Sequence, residues 1–193
     1  MISEDRKVPP LLKFGGLILL ALIGAAVGAA TARFVDASAM PGDDALNLFI
    51  GVVLVGMGVV MAATVAIRPS SVPKSCGLLQ IVVMVLAGVM LMVPIYGPNW
   101  VSAEVSLAIV LGLLAVQTVA NILLWRRADE MLRRVMVETG SLAFWTLQLA
   151  LFVYAASERL GLVDGITAWG MIGILMAVYM VASAVAGARR GLK

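Results

Sequence analysis

The sequence predicts an all-α, polytopic membrane protein: six transmembrane helices in three hairpins, with the N- and C-termini both cytoplasmic. Three observations carry this. Hydrophobic residues make up 62% of the chain and charged residues 13%, with a mean hydropathy of +1.06, whereas an ordinary soluble domain carries roughly 25% charged residues. Apolar runs of about twenty residues recur, each long enough to cross a hydrocarbon core of about 30 Å. The basic residues gather in alternate loops, as membrane insertion requires. A soluble core is excluded because too little polar surface would remain to cover it, and the alternating dyad of a membrane barrel is absent.

The runs follow one another through a single membrane domain, residues 1–193. A polar, proline-containing start with Arg6, Lys7 and Lys13 leads into the first, about 14–32. Its basic flank and small-residue end resemble a secretory signal, but its length suits a first membrane helix better. The second spans about 45–67 and the third about 77–96, with Pro94 expected to bend or end it. The fourth spans about 101–124, the fifth about 141–156 and the sixth about 166–186. The fifth is short and contains Gln148.

Loop charge tests this division. Twelve basic residues fall on one side, in the two tails, the loop with Arg68 and Lys74, and the segment after Trp125; only Arg33 and Arg159 fall on the other. The positive-inside rule puts the richer side in the cytoplasm. Acidic residues lean outward, with Asp36, Asp43, Asp44, Glu104, Glu158 and Asp164 on the outer side. Tyr96, Trp100, Tyr154 and Trp169 fall near the outer boundary, and Phe14, Trp125 and Trp145 near the inner one. Amphipathic rings favour both depths.

The most charged structured stretch is the connector between the fourth and fifth runs. It holds Arg126, Arg127, Asp129, Glu130, Arg133 and Arg134. Residues 126–139 read as an amphipathic cytoplasmic helix, with Ala128, Met131, Leu132 and Val135 forming one apolar stripe. Asp129 with Arg133 and Glu130 with Arg134 are expected as i,i+4 ion pairs, acid first. Such a helix would either rest on the inner headgroups or present these six residues to a membrane or cytosolic protein partner.

Few polar groups lie within the runs, and none of those at depth is ionisable. Gln80, Gln117, Asn121 and Gln148 stand out, Gln117 and Asn121 being four apart and therefore on one face. They suit either interhelical hydrogen bonding or the lining of a path for a small solute. Asn47, Thr64, Thr118 and Thr146 complete the set. Gly24, Gly28 and Ala32, and later Ser183 and Gly187, have the spacing of close helix contacts, which would serve the bundle or a homo-oligomer.

Several chemistries are excluded. The chain has no histidine and one cysteine, so a Ser–His–Asp set and an intrachain disulfide are impossible, and the commonest metal ligand is missing. Twelve methionines could suit Cu(I), but they are scattered and fit apolar filling better. Cys76, at the inner end of the third run, is either a palmitoylation site or an unmodified small residue. A nucleic-acid role for the basic net charge of +3 is rejected because the basic residues sit at helix ends. No enzyme activity, metal or cofactor is expected.

The segment ADEMLRRVMVETGSLAFW, residues 128–145, resembles small bacterial inner-membrane proteins in which an Asp-Glu pair and an Arg-Arg pair precede a membrane helix. The resemblance implies a bacterial inner-membrane location and brings no assigned reaction, cofactor or binding residue. The expected function is a non-enzymatic membrane subunit or regulatory anchor that binds a partner through its helices and connector. The alternative is a small transporter or channel for a neutral or apolar solute.

Overall fold

A computed structural model describes residues 40–67 and 76–190. The first apolar run, its flanking charges, Arg68, Lys74 and the last three residues lie outside the described residues, and with them the expected first helix and the Gly24/Gly28/Ala32 spacing. Within the described residues the chain is helical, without strands. Five helices are each long and apolar enough to cross a membrane, which makes this a multi-pass membrane protein.

The first described helix, α1, runs Gly42–Ile67, with Asp43 and Asp44 in its first turn, where carboxylates favour the positive end of the dipole. Helix α2 runs Gly77–Tyr96. Pro94 does not end it; two more residues follow before the chain tightens into a 3-10 turn, Gly97–Asn99. Helix α3, Ala103–Arg127, starts where the Ser102 hydroxyl accepts the Val105 N–H at 3.4 Å. Helix α4 is Glu130–Arg159 and α5 is Ala168–Arg189, capped by Thr167.

The connector departs from expectation. No separate cytoplasmic helix 126–139 forms, and no separate span begins at 141. Arg126 and Arg127 are the last turn of α3, and everything from Glu130 to Arg159 is one 30-residue helix. The break lies at Ala128 and Asp129, both extended, where the Asp129 carboxylate accepts the Leu132 N–H at 2.7 Å. A side chain that satisfies an orphan N–H starts a helix there. Gly140, which falls between the expected connector helix and the fifth run, sits inside α4; a mid-helix glycine costs only about 1 kcal/mol relative to alanine. At 1.5 Å per residue α4 is about 45 Å long, roughly 15 Å more than a hydrocarbon core needs. Its polar first third is the surplus.

Packing follows the order α3, α2, α1, α5, α4. Helix α1 is central, with α2 on one side and α5 on the other, while α3 packs along α2 and α4 along α5, so that α3 and α4 meet only around the break between them. Close approach of α1 and α2 depends on glycine. A Cβ on Gly88 would lie 2.5 Å from the Gly51 carbonyl oxygen and 2.7 Å from Val55 Cγ2, and one on Gly58 would lie 2.7 Å from Val85 Cγ2. The core between them holds Ile50, Leu54 and Leu91, with Trp169, Met176 and Met180 of α5 packed against it. On α5 the buried small residues are Gly170, Gly173, Ala182 and Ala186. The expected pair, Ser183 and Gly187, is one position out of phase: Ser183 is exposed and Gly187 half-buried.

Candidate functional site

Three helix ends meet around the charged segment. At the end of α3, the last carbonyls need partners that the helix cannot supply. Arg133, one turn into α4, supplies them: its Nε donates to the Trp125 carbonyl and its Nη2 to the Arg126 carbonyl, each at 3.2 Å. The same guanidinium lies 5.9 Å from the Trp125 ring centroid, within cation–π range. The Cys76 thiol donates to the Arg127 carbonyl at 3.0 Å, and Cys76 is 2% exposed, so this end of α3 is also held to the start of α2.

Of the two expected ion pairs, Glu130–Arg134 forms. Asp129–Arg133 does not. Asp129 stands at the N-cap, its carboxylate already engaged by backbone, and Arg133 turns back to α3. The expected apolar stripe is also only partly apolar in placement: Ala128 and Val135 are buried, Leu132 half-buried and Met131 exposed.

The α4 charges acquire partners from α5. Glu138, 22% exposed at its side chain, pairs with Arg190 at 2.8 Å and with Arg189 at 3.7 Å. A groove of about 540 Å³ opens between the first third of α4 and the end of α5, with Glu130, Arg133, Arg134 and Glu138 on one wall and Arg189 and Arg190 on the other. Val137, Ser141 and Leu142 also line it. Arg126 and Arg127, on the last turn of α3, do not. The structure thus divides the six expected contact residues: Glu130, Arg133 and Arg134 line the groove, Asp129 caps α4, and the α3 arginines lie apart. Glu138, Arg189 and Arg190 were visible in sequence only as helix-end charges. Their meeting across 52 residues had no local signal.

The four expected lining residues are not brought together. Gln117 is half-buried, and its Nε2 donates to the Val83 carbonyl at 3.1 Å, tying α3 to α2. Gln80 is half-buried, and Asn121 and Gln148 are exposed on the outside of their helices. Gln148 belongs to α4, which packs along α5 and not along α2 or α3. A groove of about 380 Å³ between α2 and α3 is walled by Leu79, Ala115, Val116, Val119, Ala120 and Leu123, and none of the four enters it.

At the opposite end, the starts of α1 and α5 form a polar clasp. The Thr167 hydroxyl donates to the Asp43 carboxylate, and the Trp169 indole N–H donates to Asp44 at 3.0 Å. Asn47, 0% exposed, donates to the Trp169 carbonyl at 2.8 Å and to the Asp43 carbonyl at 3.0 Å. Among the described residues no three of Cys, Asp and Glu come together in a metal-binding group.

No family model, curated protein or solved structure matches the chain.

Proposed function

We propose that this protein is a non-enzymatic membrane subunit or anchor of a bacterial inner membrane, with its arginine-rich end in the cytoplasm as the surface that meets a protein partner. The single observation behind this reading is that the charged end is built. Arg133 closes α3, Glu138 fixes the end of α5, and the exposed guanidiniums of Arg126, Arg127, Arg134 and Arg189 are carried on a frame made of three helix ends. A charged segment serving only to orient insertion needs no such frame. The loop-charge bias supports the cytoplasmic assignment.

The transporter alternative has less behind it, because its four polar residues are spread over both ends of the helix row.

The test is copurification of the full chain in a gentle detergent after in-membrane crosslinking from Met131, an exposed position on α4 outside the groove. A discrete crosslinked species is expected, lost when Arg126, Arg127, Arg133 and Arg134 are all changed to Glu. A chain that crosslinks to nothing, and whose fourfold variant inserts and assembles as before, would remove the reading.

A further inference from the structure

We propose that the groove between α4 and α5 binds the headgroup of an anionic phospholipid carrying about two negative charges, with Arg134, Arg189 and Arg190 as its phosphate ligands. This goes beyond the partner-binding reading and does not depend on it.

Charge comes first. Four arginines and two glutamates line the groove, a surplus of two positive charges; Arg133 is turned back to the α3 carbonyls, which leaves Arg134 on one wall opposite Arg189 and Arg190 on the other. Glu138 holds Arg190 through Nε and Nη2, both on the same carboxylate oxygen. Arg134 gives one Nη2 to Glu130. A guanidinium has five N–H donors in a planar fork, so these contacts orient the arginines and leave further donors for a ligand. Forked donors fixed at a set spacing suit phosphate oxygens better than a diffuse cationic surface does.

Depth and shape select a lipid over a soluble anion. Below the arginines the groove is walled by Val137, Ser141 and Leu142. One turn further along α4, Phe144 and Trp145 are exposed, edge to face with ring centroids 5.6 Å apart. Exposed tryptophan marks the level of the membrane interface. The groove therefore opens at headgroup depth: guanidiniums at the phosphates, a short apolar wall at the glycerol, and bare α4 surface for the acyl chains. A volume of about 540 Å³ fits a headgroup and its glycerol. Basic pockets between membrane helices on the cytoplasmic side recognise lipids in this way.

Native mass spectrometry of the full chain, released from a neutral detergent with added cardiolipin, phosphatidylglycerol or phosphatidylcholine, tests the site. Cardiolipin, with two phosphates, should be retained at least about tenfold more strongly than phosphatidylcholine, since each nearby arginine adds appreciably to anionic-lipid affinity. Arg134→Gln with Arg189→Gln should lower that preference about tenfold. Both side chains are 62% exposed, so the fold should survive, as an unchanged melting curve would show. Arg126→Gln with Arg127→Gln removes the same charge outside the groove and should leave the preference intact. Equal loss in both pairs would mean a diffuse basic surface, and no loss in the groove pair would mean no site there; either overturns the proposal. Displacement of cardiolipin by millimolar inorganic phosphate would overturn the lipid assignment in favour of a free-phosphate site.

Discussion

The Asn47 side-chain amide donates to the Trp169 carbonyl across 122 residues of chain, at 2.8 Å. Asn47 is the central helix's one fully enclosed polar side chain among the described residues, and both its N–H groups are used. Its Oδ1 has no hydrogen-bond partner and faces Gly173, where a Cβ would come within 3.1 Å of it. The contact needs a small residue on α5 and a short amide on α1.

Asn47→Ala should therefore loosen α5 from α1. The expected loss is about 1–2 kcal/mol, combining an interhelical hydrogen bond with a small cavity. Thr118→Val is the control. Its hydroxyl bonds only the Leu114 carbonyl of its own helix, at 2.8 Å on an exposed face, and the change should stay within about 0.5 kcal/mol. Reversible unfolding in mixed micelles measures both, and equal effects would mean that the Asn47 bond does not hold the two helices together.

The α1–α2 contact gives a sharper contrast. Gly88→Ala would put a methyl 2.5 Å from the Gly51 carbonyl oxygen. That obstacle is backbone, so the helices must separate, at about 1–3 kcal/mol for an overpacked contact. Gly112→Ala, on α3, meets nothing within 4 Å and should be neutral or stabilising by up to about 1 kcal/mol through helix propensity. The same unfolding assay separates them, and a Gly88→Ala variant as stable as the parent would show that the approach is not limiting.

These examples show what was legible in the sequence. Run length anticipates the five described helices, because crossing hydrocarbon constrains composition over whole segments; α2 falls on its expected bounds of 77–96. The clusters of residues were less accessible. Gln117 was recognised as a buried polar group, but its partner is a backbone carbonyl with no side-chain signature. Asn47 reads only as a polar residue, since nothing local says that Trp169 will lie beside it. The change from charged to apolar composition near residue 140 suggests two elements, but it does not interrupt the backbone of α4, whose start is set by a single capping carboxylate at Asp129. Ser183 and Gly187 show the limit of spacing arguments, because a one-residue phase shift turns a helix face by about 100°.

Arg133 ties the start of α4 to the last carbonyls of α3. Arg133→Gln removes both carbonyl contacts and the stacking on Trp125. The site is exposed, so the stability change should stay below about 1 kcal/mol. Geometry should change more. Spin labels at Ile122 and Val137, both exposed on either side of the break, should give one narrow distance distribution in the parent and a broader one in the variant. An unchanged distribution would assign the angle to helix packing alone.

Cys76 offers the last test. A palmitoylated cysteine must reach a lipid-facing or solvent-facing surface, yet Cys76 is 2% exposed and its thiol is committed to the Arg127 carbonyl at 3.0 Å. Modification therefore requires the α2 start to pull away from the α3 end. If that opening costs about 3 kcal/mol, a small maleimide should react more than 100-fold more slowly in intact membranes than in denaturing detergent. A Cys76→Ala, Leu162→Cys variant supplies the comparison, since Leu162 is 72% exposed between α4 and α5 and its replacement should react at nearly the same rate in both conditions. Fast native labelling at Cys76 would mean that the α2–α3 junction opens freely, and would return the thiol to consideration as an acylation site. Slow labelling would fix it as part of the packing that holds the charged end in place.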